Sequence, residues 1–170
     1  MTSITGGILP KHIKYNVVIP TLEYLNLGGK RAINLITGTI FSESYVNNYT
    51  YLRQQNNGKA FSIIQMESNT YNDIWNNYLI KKPKYSSLIK NMVGTYNLNK
   101  NNIPNIENTI GNLFLAVAMC RMHYLRVYEQ IPDFDNALEL AKYYKKYYNT
   151  YKGKAKVEEK LDYFKLAITL

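Results

Sequence analysis

Ile33, Ile36, Ile40 and Glu43 recur at spacings of three, four and three. That period puts all four on one face of a helix spanning roughly Lys30 to Ser44. Upstream, "YNVVIPTLEYLNLGG" is interrupted by Pro20, and the residues after it predict a helix from Thr21 to Leu27. Thr21 is placed to cap that helix and Gly28-Gly29 to end it. Residues 1–12 read as a loose N-terminal arm.

After Ser44 the period changes. "YTYLRQQ" and "KAFSIIQM" flank "NNG", and Asn-Gly between two strand-like runs predicts a hairpin. Strand alternation places Phe61, Ile63, Gln65 and Glu67 on one face and Ser62, Ile64 and Met66 on the other. "SNTYNDIWNNYLIKK" then predicts a helix, with Thr70 and Asp73 as a capping box and Trp75, Tyr78 and Leu79 inside. Pro83 ends it. A short helix over "YSSLIKNMV" stops at Gly94, and a polar loop follows.

A central helix is expected from Ile106 to about Tyr128. Ile110, Leu113, Phe114, Val117, Cys120 and Tyr124 form its core stripe, and Gly111, Ala116 and Ala118 permit close helix approach. Beyond Pro132 come two more helices, about Asp135 to Asn149 and Lys156 to Ala167. The pattern predicts one mainly α domain over residues 13–170, with a small β-hairpin inserted after the second helix. At 170 residues the chain suits a single core.

Composition narrows the chemistry. A single cysteine, Cys120, rules out an internal disulfide, and neither His12 nor His123 has metal-ligand spacing, so no metal or cofactor is expected. The net charge of +9 suits a polyanionic partner: nucleic acid, an anionic membrane or an anionic cell wall. No apolar run reaches membrane-spanning length, and the opening "MTSITGGILPKH" carries no charged-then-apolar leader. The run "AKYYKKYYNTYKGKAK" interleaves lysine with tyrosine. It reads as an amphipathic helix with Tyr inside and Lys outside, ahead of a nucleic-acid or glycan surface.

Glu43 is the first chemical candidate. Buried on a core-facing stripe, its carboxyl pKa rises toward what a general acid needs. The helix C-terminus further disfavours negative charge there. Pattern alone favours the plainer reading, a Glu rotated outward and solvated, because surface Glu is common. Gln65 alone reads as a structural amide, Glu67 as a strand-end charge and Asp73 as a cap. Cys120 reads as a small buried hydrophobe, and His123 as a satisfied structural residue.

"FSES" ending a helix, followed by "SIIQMESNT" after a hairpin, resembles the lytic transglycosylase pattern. In that pattern a helix ends in Glu-Ser, and a later segment reads Gly-Leu-Met-Gln with a Thr beyond. Glu43-Ser44 fit the first motif; Ser62-Ile63-Ile64-Gln65, with Thr70 beyond, fit the second. "VVIPTLEYLNL", "LITGTIFSES", "YLRQ", "IQMESNTYNDIWNNYL", "AMCRMHYLRV" and "YYKKYYNTYKGKAKVEE" together resemble bacteriophage virion-associated proteins with a transglycosylase-like domain. Tyr45 and Ser62 stand where the pattern often has Gly, and "AVAMCRMHY" has no clean Ala-Tyr-Asn motif.

The resemblance implies a lysozyme-like α+β domain that cleaves the MurNAc-GlcNAc bond of peptidoglycan during phage entry. Glu43 would be its single acid/base, and Ser44, Ser62, Ile64, Gln65, Met66 and Tyr124 would bind substrate. It also implies a virion location, other virion proteins as partners and delivery by the particle. A structural virion protein of the same fold without the chemistry is the alternative. A basic nucleic-acid-binding module is a third.

Overall fold

The computed structural model describes residues 8–46, 49–54, 58–94, 97–149 and 156–170. Helical structure starts earlier than the sequence suggests. α1 (Pro10–His12) leads into a π-helical stretch, Ile13–Val18, and on into α2 (Ile19–Tyr24). Proline in a helix lacks an N–H and its ring meets the carbonyl four residues back. Here the residue before Pro20 takes a wider bond: the Ile19 amide donates to the Lys14 carbonyl. The wider turn just ahead of Pro20 lets the helix pass through it instead of ending. Thr21 is therefore no cap; its hydroxyl donates to the Val17 carbonyl. Of the expected arm, Pro10–His12 are helical, and residues 1–7 lie outside the described residues.

α3 (Lys30–Ser44) has the expected bounds. It is buried nearly all round rather than along one stripe, with Thr37, Thr39, Ser42 and Ser44 inside as well as Ile36 and Ile40. α9 (Val157–Thr169) lies along it, and α8 (Ala137–Tyr144) packs on α9. Gly38 makes the α3–α9 approach possible: a Cβ there would collide with the Phe164 ring.

The β region differs from the expected single hairpin. β1 (Tyr45–Val46) pairs with β2 (Tyr49–Thr50), and β3 (Ala60–Phe61) pairs with β4 (Met66–Glu67), both antiparallel. The expected Asn-Gly turn falls on residues 55–57, outside the described residues, and Gly58. Its flanks do pair, through an Arg53–Phe61 bridge and a bond from the Ser62 amide to the Leu52 carbonyl. The second strand, however, does not run on to Met66. It breaks at Ser62, turns over four residues and returns, so the alternation of faces from Phe61 to Glu67 does not exist.

α4 (Ser68–Asp73) continues as a π-helical stretch, Ile74–Tyr78, and a 3₁₀ turn, Leu79–Lys81. The helix starts at Ser68 with Glu67 as an uncapping N-cap, so Thr70 is interior and the expected Thr70–Asp73 capping box is absent. Asp73 instead accepts from Asn77 and pairs with Arg126. α5 (Pro83–Val93) opens on Pro83 and ends at Gly94 in a left-handed conformation. The expected central helix is split. α6 (Asn108–Gly111) stops at Asn112, whose side chain accepts from the Leu115 amide and caps α7 (Leu113–Leu125). Phe114 is 45% exposed, not core. From Leu115 to Cys120 every side chain is buried, as in a helix enclosed by others. α8 extends through a further π-helical stretch, Lys145–Asn149. Tyr143 and Tyr144 are buried there while Lys142 and Lys146 are exposed, the amphipathic reading of this run.

Candidate functional site

Glu43 stands at the last turn of α3, half-buried, on the lining of a cleft of about 510 Å³. That volume falls in the range of small-molecule sites. α8 and its extension reach over from the far end of the chain. The Tyr144 hydroxyl donates to Glu43 Oε1 at 2.6 Å. The Tyr51 hydroxyl donates to the Glu43 carbonyl at 2.8 Å, and Lys160 Nζ donates to the neighbouring Ser42 carbonyl at 2.6 Å. Burial pushes the Glu43 carboxyl above its usual range. The Tyr144 bond, the Lys160 charge and a bond from Asn149 oppose that rise without cancelling it. The outcome is an acid held protonated further up the pH scale than a surface Glu.

Gln65 lines the same cleft, but it arrives on a turn rather than a strand. Ser62 and Gln65 both take positive φ, 64° and 44°, and the Gln65 amide closes the turn on the Ser62 carbonyl at 3.1 Å. Such backbone is costly away from glycine and persists where surrounding contacts impose it. Those contacts are all present. The Ser62 hydroxyl donates to the Thr109 carbonyl at 2.6 Å, and Ser44 donates to the Ile63 carbonyl at 2.8 Å. Tyr148 donates to the Ile64 carbonyl at 2.8 Å. The Gln65 side-chain nitrogen donates to the Ser62 carbonyl, and its oxygen, Oε1, is buried without a protein partner among the described residues.

The other expected binding residues divide sharply. Met66 lines the cleft. Ser44, Ser62 and Ile64 are fully buried beneath it, where they hold the turn instead of facing open space. Tyr124 is buried too; its hydroxyl pairs with Thr39 at 2.8 Å and its ring stacks on Tyr148. Glu67 sits exposed on the cleft margin.

Tyr51, Gln54, Tyr148 and Asn149 line the cleft without having been singled out in the sequence, while Thr70, read as a cap and as the threonine beyond the Gln65 motif, and His123 line it too. His123 was read as a satisfied structural residue, and its bonds agree. One ring nitrogen meets the Tyr147 carbonyl at 2.7 Å and the other meets Arg126 at 2.9 Å. Burial lowers its pKa to about 4, so it is neutral near pH 7. Tyr144, Tyr148 and Asn149 carried one available signal, their i, i+4 and i+5 spacing on the Lys/Tyr-rich helix. Nothing local said which residue that face would meet.

Among the described residues no group of His, Cys, Asp and Glu could hold a metal ion, and no helix is long and apolar enough to cross a membrane. No family model, curated protein or solved structure matches the chain.

Proposed function

We propose that the cleft binds a glycan strand of peptidoglycan and that Glu43 cleaves it as a lone general acid/base, in a domain of lysozyme-like architecture. The observation that carries this reading is the placement of Glu43. One carboxyl, its pKa raised by burial and its Oε1 held by Tyr144, lines a cleft shared with an amide whose oxygen lacks a protein partner among the described residues. A protonated carboxyl near neutral pH can donate to a glycosidic oxygen as that bond breaks. The resulting carboxylate, steadied by Tyr144 and Asn149, then takes a proton from the sugar's 6-hydroxyl or from water. The two-carboxylate plan of most glycosidases is unnecessary in that scheme.

A second observation supports the sequence resemblance independently. Ser62 occupies the position where the resembling pattern has Gly, and its φ of 64° is the left-handed conformation that glycine favours. The turn thus has, at this position, a backbone that suits glycine, with Ser in its place.

Mass spectrometry of muropeptides released from purified sacculi tests the reading. The wild type is expected to release disaccharide products, anhydro or hydrolysed, and Glu43→Gln none while keeping its circular dichroism. Release by Glu43→Gln at the wild-type rate overturns the role of Glu43. No release by the wild type favours a structural virion protein.

A further inference from the structure

Between Ile74 and Ile106 the chain contains five lysines (Lys81, Lys82, Lys84, Lys90 and Lys100) and no Asp or Glu. Folded, this stretch supplies the end of the α4 helix, the 3₁₀ turn and α5. None of the five lysines joins an ion pair among the described residues. The turn carries a second oddity. Leu79 is fully buried and anchors it, while the next residue, Ile80, is 72% exposed, the most exposed aliphatic side chain among the large hydrophobics described. Lys81, Lys82 and Lys84 follow Ile80 in sequence and are all exposed. Beside the turn lies a groove of about 640 Å³. Trp75 and Ile80 line it together with Ser86, Ser87, Lys90 and Asn91.

We propose that this acid-free lobe docks the protein on an anionic bilayer surface, with Ile80 inserted among the headgroups. This goes beyond the cleft and does not depend on the proposed chemistry. Charge complementarity names the partner as an anion-bearing surface. An unshielded aliphatic tip followed directly by lysines favours a bilayer over a dissolved polymer, because only a bilayer offers apolar depth beneath its charge. The lobe contains no arginine in its 33 residues from Ile74 to Ile106, and its Trp75 is buried. It therefore supplies none of the guanidinium forks typical of nucleic-acid grooves. A groove lined by two serines, a lysine and an asparagine suits a phosphodiester headgroup.

Sedimentation of the full chain with sucrose-loaded vesicles tests this, using phosphatidylcholine alone and equal parts phosphatidylcholine and phosphatidylglycerol. The wild type is expected to pellet with the anionic vesicles and not the zwitterionic ones. Each surface lysine is worth about fivefold in partition, so losing three and reversing their charge in Lys81→Glu/Lys82→Glu/Lys84→Glu is expected to lower binding by at least about a hundredfold. Ile80→Asp is expected to lower it about tenfold, since the aliphatic tip no longer enters the interface. Unchanged circular dichroism in these exposed-site variants separates lost docking from lost folding. Equal binding to both vesicle types overturns the proposal, as does wild-type binding by Ile80→Asp. A triple variant that loses DNA binding in a gel shift, from a wild type that never pellets with vesicles, overturns it in favour of a dissolved polyanion.

Discussion

The Tyr144 hydroxyl donates to Glu43 Oε1 across 2.6 Å, joining residues 101 positions apart in sequence. The tyrosine is fully buried against Phe164 and Tyr148, so its oxygen has one fixed address. A bond from a neutral hydroxyl to a carboxylate favours the ionised form. Tyr144→Phe is therefore expected to raise the Glu43 pKa further while preserving the ring packing. Carboxyl NMR titration reads this directly. In muropeptide release, the alkaline limb set by loss of the acid's proton is expected to move to higher pH.

Glu43 also costs stability. Its folded pKa lies above the ordinary value, so the folded state holds the proton more tightly than the unfolded chain. Stability is then full where both states are protonated and falls as pH rises from the unfolded pKa through the folded one. Glu43→Gln, which keeps an acceptor for Tyr144, is expected to raise Tm at neutral pH by about 2–4 °C, the equivalent of roughly 1 kcal/mol at this chain length. The gain is expected to vanish near pH 4; a Tm unchanged or lowered at neutral pH contradicts it.

His123 has the opposite sign. Its folded pKa, about 4, lies below the ordinary 6.5 because burial disfavours the cation. Between those values the unfolded chain binds the extra proton, so stability falls as pH drops through that window. A series of thermal melts across it is expected to show this loss in the wild type. The acid slope is expected to flatten in His123→Gln, whatever the variant's absolute Tm.

Ser62 makes an unusual prediction about small residues. Its φ of 64° favours glycine, while its hydroxyl holds the Thr109 carbonyl. Ser62→Gly loses the bond and relieves the backbone, two effects of about 1 kcal/mol each and of opposite sign. Ser62→Ala loses the bond and keeps the strain. Chemical denaturation is expected to rank Gly above Ala by about 1 kcal/mol, the reverse of the usual order.

Gly38 tests the helix packing beneath the site. Any Cβ there meets the buried Phe164 ring, and the ring lies between α3 and α9. Gly38→Ala is expected to cost about 1–3 kcal/mol by denaturant melt, although alanine is the better helix former. A double variant with Phe164→Leu is expected to recover part of that loss.

The cleft shows where sequence reading stops. Strand alternation set Gln65 on one face of a hairpin and the resemblance implied a place beside Glu43; Gln65 does line that cleft, but on a different backbone. Alternation is a local pattern, and "AFSIIQM" satisfies it. The positive φ at Ser62 and Gln65 is imposed by Thr109, Ser44, Tyr148 and Leu52, contacts that no window along the chain contains. Phe114 failed for a related reason. A periodic stripe assumes an unbroken helix, and Asn112 restarts the helix one residue before Leu113.

By itself the sequence determined the mainly helical class, the bounds of α3, the place of Glu43 in its last turn and the Tyr-in, Lys-out faces of α8. These follow from short-range rules: apolar period, Gly and Pro stops, and the cost of burying charge. Only the tertiary structure decided that α8 would meet the end of α3 and set Tyr144 against Glu43, and that Ser44 and Ser62 would support the cleft from below. It also left Ile80 bare just ahead of Lys81 and Lys82. Each is a matter of which faces close against each other, and that is fixed by packing the whole core at once.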